Sequence, residues 1–546
     1  MAVAPGMNFR VDRDGPDSVP MGDVVRQRRR AGFRLSLIGT LYTAVFALLA
    51  IPLLSVVIPP LYDYPNHLAR MHILATWADS PDLRANYVID WKLAPYLVMD
   101  VIVPRLARFM PLYTAGRVFL FLCLVQFVLG TAAVHAALYR RLSPWPAASA
   151  LFAYNLMFSH GFTNYLFSMG AWMLAFAAWI LLSRRGALWR IGIGSILAPI
   201  VFFSHYFGFF GYMLCVGAYE FGVWLESPSR KFGALLARGV TAFCPFAMPL
   251  VVFFSAELGQ DGGILWYGSP MVKLNALLSP VLFPTATFNV TLLVLLLLVP
   301  SRRGLLGRPS LAPSMRWPLL AMAAAALAAP NVMAGVWDID CRLPVMIVFM
   351  SIASVTWRDV PVRAGLLAGG FGIAVLAVNI GLIVLGWRPI AQQYNAYRAA
   401  LGAIPRGARV IAFRDDDNIV KALQPGPPTA YSHLPALAVI ERDIFLPFLF
   451  KNPMMPVQSA PANRIIDSGG GEPIERSELI EGASPGTDPA KSGRHNALGI
   501  RDYWTGWPDR FDYAIELSFG AQPDLPKSLK RVTDGGFFNI YRIERE

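Results

Sequence analysis

RLSLIGTLYTAVFALLAIPLLSVVI, residues 34–58, followed closely by Asp63-Tyr64-Pro65-Asn66-His67, is the stretch that decides how the chain folds. Its 25 residues carry no charge after Arg34, and a membrane-spanning helix needs roughly 20 apolar residues. An acid and an imidazole therefore follow the first helix as soon as it leaves the bilayer. Ionisable groups at such a position are costly unless a polar cavity or a chemical role holds them.

The composition agrees. Of 546 residues, 55% are hydrophobic and 15% charged, and the mean hydropathy is +0.46. Soluble domains carry about 25% charged residues, so an integral membrane protein is expected. The net charge of +13 lies in short clusters between apolar runs, which is a topology signal and argues against nucleic acid as a partner. The cysteines (Cys123, Cys215, Cys244, Cys341) lie in or beside apolar runs with no metal-type spacing, and read as small buried side chains. The basic cluster Arg26, Arg28, Arg29, Arg30 precedes the first run, which is too long for a signal-peptide core. Residues 1–33 then form a cytoplasmic basic tail, with no packed structure expected over 1–25.

Further apolar runs at about 113–139, 146–158, 162–182, 190–203, 207–225, 239–256, 285–300, 317–335, 343–357 and 364–387 bring the expected count to about eleven spans. With the N-terminus inside, the short inner connections hold Arg140, Arg141, Arg184, Arg185, Arg190, Arg230, Lys231, Arg238, Arg302, Arg303, Arg308, Arg316, Arg358 and Arg363, while the short outer ones hold Lys273 and Arg342. The positive-inside rule gives an N-in, C-out chain. Two large segments then face outward. One is the loop 59–112, with an amphipathic stretch over 96–110 in which Val98, Val101, Ile102, Leu106 and Phe109 share a face opposite Asp100. That pattern suits a helix in the headgroup plane. The other is the polar region 388–546, read as an α/β domain: strands at 408–413, 513–518 and 536–543, helix within 434–450, and a mobile loop over 467–496. The expected fold is a polytopic α-helical membrane protein with a C-terminal extracytoplasmic α/β domain after a membrane domain at 34–387.

Three short runs end in polar residues on the Asp63 side: Ser159-His160 with Asn164 nearby, Ser204-His205-Tyr206, and Asp338, Asp340 and Arg342. Polar helix ends at membrane depth need a protein-lined or watery cavity. Asp63 is either a solvated helix cap or a general base, and His67 one turn on could orient it, bind phosphate or share a divalent metal with it. Arg342 is either paired with Asp338 or Asp340 or a fork for a lipid-linked phosphate, with Arg117 as a second cation for that task. His160, Asn164, His205, Tyr206, Asp338 and Asp340 would line the cavity. Asp415-Asp416-Asp417 reads as a solvated turn, and His433, Arg442 and Asp443 as residues of an acceptor groove. No Walker loop, nucleophile elbow or zincin helix is present.

With Asp63 directly after the first span, the loop 59–112 and an outer C-terminal domain, the chain resembles the GT-C membrane glycosyltransferases, which include protein mannosyltransferases and the aminoarabinose transferase of lipid A. The resemblance implies a multi-pass protein of the bacterial cytoplasmic membrane that takes sugar from an undecaprenyl- or other polyprenyl-phosphate donor to a glycan, lipid or protein acceptor. It implies that Asp63 activates the acceptor hydroxyl, that the anomeric configuration inverts, and that Arg342 stabilises the departing phosphate. Many such enzymes carry a second acid in the first loop, and a Mg or Mn ion with it. Here Tyr64 follows Asp63. Two other readings stay open at this point: a transporter or flippase for lipid-linked glycans, and a non-catalytic scaffold for envelope assembly.

Overall fold

A computed structural model describes residues 21–255, 265–298, 307–333, 336–415, 428–451, 454–468, 471, 473–483, 503–518 and 525–545. The chain divides into two units, Met1–Ala44 and Val45–Glu546. Helix α1 (Met21–Ser55) begins before the apolar run, within the stretch expected to lack structure, whose residues 1–20 lie outside the described residues. All the remaining elements belong to the second unit, which holds the helical bundle, the first loop and the C-terminal region together.

Among the described residues, seven helical stretches are long and apolar enough to cross a membrane: 36–55, 112–139, 163–182, 187–204, 206–225, 232–255 and 362–403. The runs 146–158, 285–300, 317–335 and 343–357 do not form helices of that length among the described residues. The first breaks at Pro144, Pro146 and Asn155 into tight turns and one helical turn, because proline removes a backbone donor and Asn155 caps Phe158 N at 3.2 Å. The other three give helices of 13, 13 and 16 residues, about 20–24 Å long. An apolar surface surrounds the bundle: Leu188, Phe232, Phe254, Val362 and Leu367 are each at least three-quarters exposed, more than a water-facing monomer tolerates.

After α1 come α2 (Tyr64–Thr76), α3 (Pro81–Asn86), β1 (Tyr87–Ile89) and α4 (Val98–Leu106). Proline at the second position of α2 is tolerated there, since the first-turn amides have no helical acceptor. Helix α4 turns Asp100 inward, where Arg70 of α2 grips it through two contacts of 2.6 and 3.2 Å, both side chains fully buried. Val101 and Phe109 remain outside, so the expected apolar face is the outer one.

The bundle continues as α5 (Leu112–Tyr139), α6 (Leu156–Ser159), α7 (Thr163–Leu182), α8 (Ala187–Ser204), α9 (Tyr206–Leu225), α10 (Phe232–Phe243), α11 (Ala247–Ser255), α12 (Pro270–Leu278), α13 (Ala286–Leu298), α14 (Arg316–Ala328), α15 (Ile339–Ser354) and α16 (Val362–Ala400). An antiparallel pair of β2 (Arg308–Leu311) and β3 (Val355–Arg358) closes one end, where the Tyr139 hydroxyl lies 2.7 Å from Ser354 O and 3.0 Å from Ser310 O, within donating distance of either. Cys123, Cys215 and Cys341 are buried thiols, Cys244 is half-buried, and none forms a disulfide.

Helix α16 runs unbroken through the expected domain boundary at 388 into the C-terminal region. There β4 (Val410–Arg414), β6 (Ile474–Glu475), β7 (Tyr513–Leu517), β8 (Leu529–Asp534) and β9 (Phe538–Ile543) form a sheet in the order β6-β4-β7-β9-β8, parallel around β4 and antiparallel around β9. The three expected strands are present. The helix expected within 434–450 covers Leu437–Arg442, because Asp443 adopts a left-handed conformation (φ 52°) and is held there by His72 at 2.7 Å and Ser80 at 2.9 Å. Part of the expected mobile loop is ordered instead. Strand β6 joins the sheet edge, and helix Arg476–Gly482 follows behind a reciprocal Glu475–Glu478 cap. Residues 484–502, and Asp416 and Asp417, lie outside the described residues. Strand β5 (Val457–Ser459) pairs with β1, tying the C-terminal region to the first loop.

Candidate functional site at the exit of the first helix

Pro59 and Pro60 stop helical geometry after α1, and the chain then lies against the turn 159–161. Tyr62 N donates to Ser159 O at 3.1 Å and Asp63 N to His160 O at 3.0 Å. Gly161 permits this approach. It has φ +73°, and a Cβ there would stand 3.0 Å from Tyr64 N and 3.2 Å from Asp63 N. Asp63 occupies the cap position of α2, yet its carboxylate makes no cap hydrogen bond and the residue is only 9% exposed. The solvated-cap reading therefore has no support in the geometry.

The Asp63 carboxylate instead faces the C-terminal region. His433 Nε2 lies 3.4 Å from its Oδ1. The tautomer follows from Asn66, one turn along α2. Phe450 N donates to Asn66 Oδ1 at 2.9 Å, which fixes the amide orientation, so Asn66 Nδ2 donates both to Phe448 O at 3.1 Å and to His433 Nδ1 at 3.2 Å. With Nδ1 accepting, the neutral ring carries its proton on Nε2, toward Asp63. His433, expected only as part of an acceptor groove, is thus the positioning partner of Asp63. The two residues are 370 positions apart, and no spacing pattern links them.

His67 packs its ring on Phe450 at 5.2 Å, and Phe450 lies 5.1 Å from the His433 ring. Burial, with Arg70 and His433 adding to it, pushes the His67 pKa well below the usual 6.5. A neutral imidazole cannot serve as a cationic phosphate clamp at neutral pH. Its Nδ1 is buried without a hydrogen-bond partner.

Arg342 enters in the first turn of α15. Its guanidinium lies over three rings, 4.7 Å from Phe162, 5.1 Å from Phe207 and 5.6 Å from Tyr165. It donates to Trp337 O at 3.0 Å, and its buried Nε has no partner. The acids expected as its partners are engaged elsewhere. Asp338 pairs with His160 at 3.1 Å; Asp340 pairs with Lys273 at 2.9 Å and accepts from Asn331 at 2.9 Å. Burial works against the Asp338 carboxylate, but the hydrogen bond and charge of His160, with Arg342 and Asn331, bring its pKa below the usual range. Among the described residues no carboxylate pairs with Arg342 within 4.0 Å, so a guanidinium that is 5% exposed keeps its charge inside an aromatic cage.

The other expected residues divide by their partners. Asn164 holds the entry to α4, accepting from Met99 N at 3.0 Å and donating to Tyr96 O at 2.7 Å. His205 caps α9 by accepting Phe207 N at 3.0 Å, and its ring stacks on Tyr206 and meets Tyr96 edge-on at 4.7 Å. Arg117 spends its terminal nitrogens on Val56 O at 2.9 Å, Leu53 O at 3.3 Å and Thr114 Oγ1 at 3.1 Å. It closes the last turn of α1, a structural task in place of the expected phosphate contact. Arg442 bonds Ile404 O and Asp443 bonds His72 and Ser80, so both stitch elements together.

Asp63 and Arg342 are linked through one turn: Asp63 binds His160 O, the His160 ring meets Phe162 edge-on at 5.4 Å, and Phe162 carries the Arg342 guanidinium. Among the described residues no three His, Cys, Asp or Glu side chains converge on a metal position. Asp63 with His67 alone does not supply the oxygen set that a Mg or Mn ion requires. No family model matches the chain, and no curated protein sequence shows significant similarity to it.

Proposed function

We propose that this protein is a membrane glycosyltransferase that moves a sugar from a polyprenyl-phosphate donor to an acceptor hydroxyl of a glycan, lipid or protein, at the membrane face where Asp63 lies. The observation that carries the reading is a buried acid held by His433 at the exit of the first apolar helix, joined through residues 159–162 to a caged guanidinium that no carboxylate among the described residues contacts within 4.0 Å. Asp63 accepts the proton of the acceptor hydroxyl, and the freed oxygen attacks the anomeric carbon. The bond from that carbon to the phosphate oxygen breaks, the configuration inverts, and both electrons leave with the polyprenyl phosphate. Negative charge grows on the leaving group, and a fixed cation in a water-poor site stabilises it most at that moment. Planar guanidinium suits phosphate oxygens through its fork geometry. No step is routed through a metal, because the described residues do not form a site for one.

The proposed topology is N-in and C-out in a bacterial cytoplasmic membrane. Two features support it. Arg140, Arg141, Arg308 and Arg358 gather where Tyr139 ties the paired strands β2 and β3, while Asp63, His160, His205 and Asp338 belong to the other end. The test is Asp63→Asn with Arg342→Ala. Both variants should insert and fold yet lose transfer, whereas a lipid-glycan carrier or a scaffold would tolerate Asp63→Asn. Normal glycan output with Asp63→Asn would overturn the proposal.

A further inference from the structure

Helix α9 leaves the Arg342 cluster at Tyr206 and reaches Glu220 about 20 Å further along. There Glu220, 3% exposed, accepts from Trp179 Nε1 at 3.1 Å, from Arg238 Nη1 at 2.7 Å, and from Arg190 in a shorter contact. The Arg190 guanidinium lies 3.9 Å over the Trp179 ring, and its buried Nε has no partner. Two guanidiniums share this one carboxylate, and among the described residues neither has another acidic partner. The cluster keeps a net positive charge.

Beside it opens a cleft of about 240 Å³ between α9 and α10, lined by Glu220 and Arg238 and otherwise by apolar side chains, among them Met213, Phe243 and Phe246. Gly217 and Gly239 face it from the two helices, and a Cβ on either would meet nothing within 4 Å. The outer flank of α10 is bare and apolar, with Phe232, Leu236, Val240 and Phe243 all more than half exposed. Arg238 lies six residues into α10, about 9 Å from its start.

We propose that this cleft is a binding site for an anionic glycerophospholipid. Its phosphate rests on Arg238, with Arg190 behind, and one acyl chain lies between Gly217 and Gly239. The joined features select the occupant: two cations sharing one carboxylate favour a negative head, and an apolar cleft at their side favours a flexible tail. Basic pockets between membrane helices take acidic lipid heads for this reason. The site stands independently of the glycosyl-transfer reading, since it lies at the other end of α9.

The test is native mass spectrometry of the delipidated full chain, titrated with phosphatidylglycerol or phosphatidylcholine of equal chain length. Phosphatidylglycerol should bind at least tenfold more tightly. Arg238→Gln should reduce that preference about tenfold. Gly217→Leu leaves every charge in place and fills only open space; it should weaken binding of phosphatidylglycerol at least tenfold in a protein of unchanged melting temperature. Equal affinity for the two lipids, undiminished binding to Gly217→Leu, or a co-purifying polypeptide in the cleft in place of lipid would overturn the proposal.

Discussion

Replacing Arg342 with methionine separates a chemical role from a structural one, because the two make opposite demands on stability. The guanidinium is 5% exposed, so it has lost nearly all of its hydration, at an effective cost of several kcal/mol for a buried ion. Against this stand three aromatic faces at 4.7–5.6 Å and one carbonyl. Cation–π contacts contribute roughly 0.5–2 kcal/mol each, and a hydrogen bond to a charged group about 1.5–3. The sums nearly cancel. Methionine fills similar space without charge, so Arg342→Met should leave folding within about 1–2 kcal/mol of the parent and raise stability as readily as lower it. Loss of a preorganised charge at the leaving phosphate should cost about 3–4 kcal/mol, a 10²–10³-fold fall in transfer. Arg342→Lys, keeping the charge but losing the fork, should fall between. Thermal unfolding followed by tryptophan fluorescence in detergent reads the first quantity, and glycan output from membranes the second. Destabilisation beyond about 3 kcal/mol, or transfer within threefold of the parent, would refute the reasoning.

His433→Gln removes the ring that holds Asp63 from the C-terminal region. It should lower transfer by tenfold or more and alter its pH profile with little change in donor affinity, measured as separate kcat and KM. The depressed pKa of His67 means that the unfolded chain binds a proton the folded chain refuses. Its contribution is therefore complete above about pH 6.5 and is lost as pH falls below that value. The melting temperature should drop between pH 7 and 5, and His67→Gln should flatten that drop. Asp100→Asn strands Arg70 in a fully buried position and should destabilise by about 3–5 kcal/mol, whereas replacing both residues with leucine should recover most of the loss in a denaturation series. Gly161→Ala forces a side chain into a left-handed conformation 3.0 Å from Tyr64 N; it should cost about 1–2 kcal/mol and shift Asp63, lowering transfer more than stability.

What the sequence could convey follows from the range of each interaction. Membrane helices are written in contiguous apolar runs, so 113–139, 162–182, 190–203 and 207–225 appear within a few residues of their expected bounds. The run 146–158 misled because hydropathy ignores backbone chemistry, and its prolines and Asn155 break it. Of the residues singled out by type and position, Asp63 and His160 meet through backbone pairing of 62–63 with 159–160, and Phe162 of the same turn lies against Arg342. Their partners were not legible. That His433 rather than His67 faces the Asp63 carboxylate depends on contacts spanning some 370 positions. That Arg342 is caged by Phe162, Tyr165 and Phe207 depends on the packing of three separate helices, and that Arg117 is consumed by carbonyls depends on where α1 ends.

The most direct test combines the lipid held by the purified protein with its fate when Asp63 is replaced. The parent should co-purify with a polyprenyl phosphate, and Arg342→Met should lose it. Asp63→Asn should retain the lipid with its sugar still attached, because the acceptor hydroxyl is no longer activated. Absence of any polyprenyl phosphate from the parent, or release of the sugar by Asp63→Asn at the parental rate, would contradict the assignment of Asp63 as the base of a lipid-dependent glycosyl transfer.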